Sequence, residues 1–189
     1  MRFSGNGMNL KIKFHTETME SVRRLSRDFY TRDVLDVAPD LPGKDLVIKL
    51  KDGAPGKFRV TEVEAYRGAE DRACHAFKGR TARTEIMFQE GGRLYIYLIY
   101  GMYWMLNIVT AGKDIPQAVL IRGVENYPGP GKLTKSLGID KSFYGEDLVI
   151  SDRIWFEDPG LVFPVKNGPR IGIEYAGEFW KTRPWRFYI

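Results

Sequence analysis

The segment Phe58-Arg59-Val60-Thr61-Glu62-Val63-Glu64-Ala65-Tyr66 decides how this chain folds. It is rich in β-branched and aromatic residues, which predicts a β-strand. Side chains alternate between the two faces of a strand. One face is therefore predicted to consist of Phe58, Val60, Glu62, Glu64 and Tyr66. A carboxylate beside a tyrosine on a largely apolar face is energetically costly, and this indicates a functional use for Glu64.

A second segment, residues 94–107, holds four of the ten tyrosines of the chain. Tyr97, Tyr100 and Tyr103 would also fit helical spacing, but the composition favours strands and Gly101 is a typical hairpin residue. We therefore predict a β-hairpin with strands at 94–99 and 103–109. The uncharged run 94–112 approaches the length of a membrane-spanning helix. Its aromatic residues lie in the middle rather than at the ends, which argues against a membrane span.

The composition predicts a single soluble domain. The chain has 189 residues, of which 43% are hydrophobic and 28% charged, as in ordinary globular domains. Its net charge of +5 permits a polyanionic partner without requiring one. A single cysteine excludes an internal disulfide and suits a reducing compartment. The first residues lack the apolar core of a signal peptide.

The remaining elements predict an α+β fold, a single mixed domain with more strands than helices. Thr31 is predicted to cap a helix that carries three apolar residues, Val34, Leu35 and Ala38. Pro39 and Pro42 limit how far this helix can extend. We expect strands at 45–50 and 118–124, a loop at 77–88, a short helix ending near 137, and further strands up to 189. The result is a largely antiparallel curved sheet with a protruding tyrosine-rich β-hairpin and a few peripheral helices.

The domain organisation is predicted to be simple. Residues 1–27 are expected to form a flexible or weakly helical N-terminal extension, with a short helix around 17–26. Residues 28–189 are expected to form one domain. Gly131-Lys132 does not complete a phosphate-binding loop, because Leu133 stands where a serine or threonine is required. Cys74 and His75 are adjacent, so they do not predict a thiol–imidazole pair, and too few ligands surround them for zinc.

Several ordered motifs resemble the alkyladenine (3-methyladenine) DNA glycosylase family. They are Glu64-Ala65-Tyr66, His75 eleven positions after Glu64, Tyr97-Leu98-Ile99-Tyr100-Gly101-Met102-Tyr103, and Asn107. The resemblance extends from about Phe29 to Ile189. Thr81-Ala82-Arg83 departs from the Thr-Pro-Arg that the family often has, and the loss of proline is expected to loosen this loop without removing its charge.

This resemblance implies a monofunctional base excision repair enzyme with a site built from seven residues. Such an enzyme flips alkylated or deaminated purines, of the 3-methyladenine, hypoxanthine and ethenoadenine type, out of duplex DNA and hydrolyses the N-glycosidic bond. The implied catalytic residues are Glu64, which activates water, and Arg122, which helps to hold that water or a phosphate. The implied base-binding residues are Tyr66, His75, Tyr97 and Asn107. Tyr100 would wedge into the gap that the flipped base leaves.

The resemblance also implies where DNA lies and what else the protein needs. Four basic residues are expected to contact phosphates, namely Arg80, Arg83, Lys132 and Lys135. The partner is double-stranded DNA containing damaged purines, and no cofactor, metal or membrane is expected. We expect a monomer that is intracellular with DNA, in the bacterial cytoplasm.

Other interpretations of the same residues remain open at this level. A nucleosidase acting on free nucleosides would share Glu64 and the aromatic slot but would not need Tyr100 as a wedge or a basic face. A single-strand nucleic-acid binding module would use stacked tyrosines and would tolerate loss of the carboxylate. Taken alone, Glu64 and Arg122 fit surface salt bridges, and each tyrosine fits core packing.

Overall fold

The computed structural model describes residues 23–50 and 53–189, which fold into a mixed α+β arrangement as predicted. The strands in these ranges are β1 (Arg23–Arg24), β2 (Asp45–Lys49), β3 (Pro55–Tyr66), β4 (Leu94–Ile99), β5 (Tyr103–Thr110), β6 (Gln117–Val124), β7 (Tyr127–Pro128), β8 (Ile154–Asp158), β9 (Lys166–Gly168) and β10 (Arg186–Tyr188). The α-helices are α1 (Arg27–Tyr30), α2 (Val34–Asp40), α3 (Pro130–Leu137) and α4 (Glu178–Lys181). Short 3-10 turns occupy Gly68–Glu70, His75–Lys78, Glu85–Phe88, Lys141–Phe143 and Glu174–Ala176.

The strands form one antiparallel sheet with β3 at its centre. The main path has the order β1-β8-β2-β3-β6-β5-β4, while β10 pairs with β3 and β9, and β7 pairs with β6. Along β3, Glu64 lies opposite Leu120 of β6 on one side and Arg186 of β10 on the other. The carboxylate therefore belongs to the middle of the sheet, where backbone pairing on both sides fixes its position.

The two faces of the sheet pack against different layers. One face meets α2 and α3 and buries the main core, which includes Val63, Ala65, Ile96, Leu106, Ile108, Val119, Ile121, Val34, Val37, Leu133 and Leu137. The other face carries a smaller cluster with Cys74, Ala76, Met87, Tyr95, Val109 and Ala118, against which Tyr66 and Tyr97 pack. The tyrosines of the second face alternate along their strands with residues of the main core, so a rigid layer supports them.

The predicted face of β3 is wrong at Val60, and also at Phe58, which packs against the main core. Val60 lies in the main core together with Val63 and Ala65, whereas a strict alternation would place it with Glu64. The pairing of β3 with β6 has register shifts on both sides of Glu62. Such an irregularity interrupts the period of two and re-aims the side chains that follow it. The shift turns Glu64 and Tyr66 away from the main core.

The N-terminal part of the fold corrects two predictions. Helix α2 is capped by Asp33, whose side chain accepts a hydrogen bond from Leu35 N at 2.9 Å, and not by Thr31. Thr31 instead ends α1, where its N–H donates to Arg27 O at 3.1 Å. The helix predicted around 17–26 lies largely outside the described residues, and the described Arg23–Arg24 pairs with β8 as a strand. The domain boundary at residue 27 stays a prediction.

The tyrosine-rich segment is a hairpin, as predicted. Strands β4 and β5 pair antiparallel from Leu94 opposite Ile108 to Ile99 opposite Tyr103. Tyr100 at the tip has a positive φ of 53° and is 82% exposed. The predicted loop at 77–88 contains two 3-10 turns, and it packs through Met87 on the second face of the sheet. Among the described residues, no helix has the length and apolarity needed to cross a membrane.

Candidate active site

Glu64 is a fully buried carboxylate with a partner on each oxygen. Its Oε1 accepts a hydrogen bond from the backbone N–H of Ile171 at 2.8 Å, and its Oε2 accepts one from the Tyr66 hydroxyl at 2.8 Å. Arg122 Nη1 lies 3.4 Å from Oε1. The carboxylate is therefore held in one orientation from three chain segments, which is the arrangement that a general base requires.

Burial and hydrogen bonding act in opposite directions on the proton affinity of Glu64. Burial raises the pKa of its carboxyl above the ordinary value of 4.5, and this outweighs the lowering by Arg122, the Ile171 N–H and the Tyr66 hydroxyl. Burial, and next the charge of Glu64, raise the pKa of the Tyr66 hydroxyl well above 10.0. Tyr66 therefore stays protonated and donates, while the raised pKa makes Glu64 a stronger base than an exposed glutamate.

Arg122 links Glu64 to a neighbouring ion-pair cluster. Its Nε donates to Glu62 Oε1 at 3.1 Å, and Arg186 Nη1 lies 3.1 Å from the same oxygen. Only 14% of the Arg122 side chain is exposed. Glu62 therefore fixes one edge of the guanidinium and leaves the other edge directed at Glu64. Arg122 was expected to hold a water molecule or a phosphate, and this role stays a prediction.

An aromatic pocket lies beside Glu64 on the same face of the sheet. Its lining consists of Tyr66, Ala73, Cys74, His75, Met87, Tyr95, Tyr97, Asn107, Ala118 and Tyr175. The four base-binding residues predicted from sequence, which are Tyr66, His75, Tyr97 and Asn107, are thus brought together. Tyr95 and Tyr175 were not predicted. Tyr95 precedes Tyr97 by two positions on β4 and therefore points to the same face of the sheet. The alternation of side chains along a strand could have identified it.

His75 is packed among tyrosine rings and is neutral. Its ring centroid lies 4.6 Å from that of Tyr97, and its Nδ1 is 2.8 Å from the Tyr95 hydroxyl. Burial, followed by the nearby charges of Arg83 and Lys78, lowers the pKa of His75 to about 4. A neutral imidazole adds no positive charge to the pocket. Within the part of the chain that the structure describes, its second ring nitrogen has no hydrogen-bond partner, so it can bond a ligand edge.

Asn107 is buried in the wall of the pocket with a fixed amide. Its Nδ2 donates to Tyr95 O at 3.0 Å and to Met105 O at 3.2 Å. These bonds satisfy both amide protons with backbone, so the side chain supports the β4–β5 pairing as well as lining the pocket. Among the described residues, Asn107 Oδ1 accepts no hydrogen bond and is available to a ligand.

A loop distant in sequence completes the site, and sequence reasoning missed it. Ile171, 107 positions after Glu64, supplies the N–H that caps the carboxylate. Tyr175, 71% exposed, donates its hydroxyl to Ala73 O at 3.0 Å across the mouth of the pocket. The short β9 and the turns that follow it carry no periodic pattern, so no sequence signal placed this loop against β3.

A groove of about 740 Å³ leads from the pocket to the hairpin. The residues along it that were predicted to meet DNA are Arg83, Tyr100, Arg122, Lys132 and Lys135. Arg80 lies elsewhere: it pairs with Glu85 at 2.8 Å and with Asp114, and it covers the Phe88 ring. The structure therefore gathers three of the four predicted phosphate-binding residues along the groove. The described residues contain no group of three or more His, Cys, Asp or Glu side chains placed to hold a metal ion.

Comparisons with known proteins match nearly the whole chain. A family model described as methylpurine-DNA glycosylase matches residues 28–128 and 125–189. The chain is 44% identical over 184 residues to a candidate 3-methyladenine DNA glycosylase of Methanocella arvoryzae, a match that covers 87% of this chain and 91% of that protein. A protein with the same description from Clostridium novyi is 42% identical, with 89% and 96% covered. One from Legionella pneumophila strain Corby is 44% identical, with 89% and 95% covered.

The burial of His75 predicts an unusual titration. We expect its imidazole to titrate with a midpoint of about 4 instead of 6.5. The NMR chemical shift of its Cε1 proton, recorded against pH, measures this midpoint. Since the folded protein binds this proton more weakly than the unfolded chain, the stability from this group is complete above pH 6.5 and declines as pH falls toward 4. His75→Gln identifies the resonance by its loss. A midpoint close to 6.5 would show that the ring is exposed to water.

Proposed function

Because the chain belongs to the methylpurine-DNA glycosylase family, we propose that it is a monofunctional DNA N-glycosylase that removes damaged purines from duplex DNA. One observation carries this proposal. The buried Glu64 carboxylate, held by Tyr66, Arg122 and the Ile171 N–H, adjoins a pocket lined by aromatic rings. Aromatic rings can stack on a planar base, and the sugar of a base held there would lie toward the carboxylate that Tyr66 contacts.

The pocket suits a base rotated out of the helix. A base inside duplex DNA is unreachable, so the nucleotide must turn outward into the protein. The faces of Tyr66 and Tyr97 are electron-rich, whereas an alkylated purine is electron-poor and cationic. The alkylated purine should therefore stack on these rings more strongly than an ordinary base does. The neutral state of His75 supports this interpretation, since an imidazolium would repel a cationic base.

Glu64 is proposed to act on the attacking water. Cleavage of the N-glycosidic bond leaves an oxocarbenium-like sugar, whose positive charge the carboxylate stabilises. In this cleavage the base departs with the electrons of the N-glycosidic bond. Water then bonds to the sugar carbon, and the proton of that water passes to Glu64. Arg122 orients the water or the adjoining phosphate. Among the described residues no lysine contacts Glu64, which supports hydrolysis without a Schiff base and hence without strand cleavage.

Selectivity among purines is proposed to come from Asn107 and His75. Adenine-type and hypoxanthine-type lesions carry hydrogen at C2, whereas guanine carries an amino group there. Asn107 is fixed by two backbone carbonyls and cannot swing aside without breaking those bonds. A guanine amino group would overlap the fixed amide, so we propose that Asn107 rejects guanine by steric exclusion. We infer 3-methyladenine, hypoxanthine and ethenoadenine as the lesion class.

The exposed hairpin favours duplex DNA over free nucleosides or single strands. Tyr100, 82% exposed, and Met102, 65% exposed, stand at the tip of the hairpin and fill no described core. A nucleosidase has no need of such a projection, and a single-strand binding module has no need of a buried carboxylate beside its rings. A wedge at the tip, a basic groove and a catalytic carboxylate together fit an enzyme of DNA repair that works within the cell as a monomer.

The catalytic role of Glu64 predicts a large effect of an isosteric change. Glu64→Gln should retain lesion binding and lose single-turnover excision by about 10²-fold or more. In the wild type, excision should fall with decreasing pH at a midpoint above 4.5, because burial raises the Glu64 pKa. Glu178→Gln, on exposed α4, is the matched control and should keep full activity. Near-normal excision by Glu64→Gln would overturn the mechanism.

The wedge role of Tyr100 predicts a binding defect without a folding defect. Tyr100→Ala should weaken lesion-specific affinity by about 1–3 kcal/mol, while the free energy of unfolding changes by about 0.5 kcal/mol or less because the side chain is exposed. Phe179→Ala removes an exposed ring on α4, outside the groove, and serves as the control. Fluorescence of a base analogue opposite the lesion reports flipping. Equal affinities for Tyr100→Ala and wild type would assign Tyr100 no role in DNA binding.

The groove predicts which cations contact phosphates. Arg83→Gln should lower the slope of log affinity against log salt by about one unit. Arg80→Gln should lower it less, because Glu85 and Asp114 already neutralise Arg80. Filter binding from about 50 to 200 mM salt measures both slopes. An equal drop for the two variants would show that the Arg80 ion pairs open on DNA; no drop for either would place the duplex elsewhere.

A further inference from the structure

A second buried charge pair, Asp71 and Arg170, lies next to the site and has no part in the mechanism above. Neither side chain is exposed. Arg170 Nη1 lies 2.5 Å from Asp71 Oδ2, and Nη2 lies 3.0 Å from Oδ1, so the pair is bidentate. Asp71 also accepts hydrogen bonds from Arg67 N at 3.1 Å and Ala73 N at 3.0 Å. Its carboxylate is fully occupied within the turn that leads to His75.

The remaining contacts of Arg170 reach the catalytic strand. Its Nη1 also donates to Ala65 O at 2.9 Å, and this residue lies between Glu64 and Tyr66. Its guanidinium is 4.9 Å from the centre of the Tyr66 ring. The next residue, Ile171, donates its N–H to Glu64. A single side chain therefore fixes the backbone of β3, one face of Tyr66 and the donor that caps Glu64.

Stability alone does not account for this pair. Burying two charges costs desolvation energy that their attraction offsets only in part, and apolar replacements of such pairs are often neutral or stabilising. Arg170 also has a buried Nε without a hydrogen-bond partner among the described residues, which is a further cost. What the ion pair supplies that apolar side chains would not is orientation, because a bidentate guanidinium defines a plane.

We propose that Arg170, held by Asp71, is a positioning residue that aligns Tyr66 and the Ile171 N–H on the catalytic carboxylate of Glu64. This inference rests on the proposed function, in which Glu64 activates water. The turn that contains Asp71 ends at His75, so the Asp71–Arg170 pair also fixes the position of this pocket wall relative to the Glu64 carboxylate. Misplacement of a catalytic group by about 1 Å costs on the order of 10²-fold in rate.

The position of Arg170 should also affect the acid limb of excision, which is the part of the pH profile where the excision rate falls as pH decreases. The charged and titratable groups that face Glu64 are Arg122, Arg170, Tyr66, Tyr97 and Tyr175. The Ile171 N–H and the charge of Arg170 both lower the Glu64 pKa. Because Ile171 directly follows Arg170, we infer that the anchored guanidinium also sets the direction of this N–H. A substitution of Arg170 that keeps its positive charge but cannot form the planar, bidentate ion pair with Asp71 should therefore raise the Glu64 pKa. The acid limb would then move to higher pH.

Arg170→Lys makes that change, because lysine keeps the charge but has no planar fork. Single-turnover excision should fall by about 10-fold to 10²-fold, with lesion affinity nearly unchanged and the acid limb shifted upward. Arg27→Lys is the matched control: Arg27 Nη2 lies 2.6 Å from the largely buried Asp147 in an ion pair outside the pocket lining. It should alter thermal stability without altering the excision rate of the folded protein or its acid limb.

A second variant separates positioning from folding. Asp71→Leu combined with Arg170→Met replaces the pair by apolar side chains, which retains the fold in comparable cases. This folded double variant should show the same catalytic defect. Wild-type rate and acid limb in either variant, or losses that only track the unfolded fraction measured by circular dichroism, would overturn the positioning role. Absence of excision by the wild type would instead overturn the proposed function.

Discussion

The burial of one carboxylate in the centre of the sheet is the constraint on which the rest of the site depends. An ionised group removed from water is costly unless it is paired and hydrogen-bonded. Glu64 meets this requirement with the Tyr66 hydroxyl, the Ile171 N–H and Arg122, each from a different chain segment. The C-terminal loop must therefore close on β3 before the carboxylate is satisfied, which couples completion of the fold to assembly of the site.

Pocket and core share the same strands and differ only in face. Strands β3, β4, β5 and β6 place mainly aliphatic residues toward α2 and α3, and they place Tyr66, Tyr95 and Tyr97 on the pocket face beside smaller apolar residues. The register irregularity around Glu62 lets β3 serve the core at Val60 and the site at Glu64. A close-packed layer directly behind the tyrosines holds their rings in place, as recognition of a planar base requires.

The charges of the molecule are arranged by depth. Cations line the outer groove, where Lys132 and Lys135 are exposed to any polyanion. The inner pocket is neutral, since His75 loses its proton affinity on burial. Negative charge is concentrated at Glu64, where burial raises its basicity. Under the proposed function, this gradient would draw a phosphate backbone to the surface and a cationic base inward.

The sequence by itself determined what local periodicity encodes: the α+β class, the hairpin of β4 and β5, and the face of β3 that Glu64 and Tyr66 share. Spacing along a strand sets which side chains are neighbours, so these features need no distant partner. Only the tertiary structure decided that Ile171 caps Glu64 across 107 positions and that Arg170 supports both. Such contacts arise from the packing of segments without periodic pattern, which no local rule of sequence specifies.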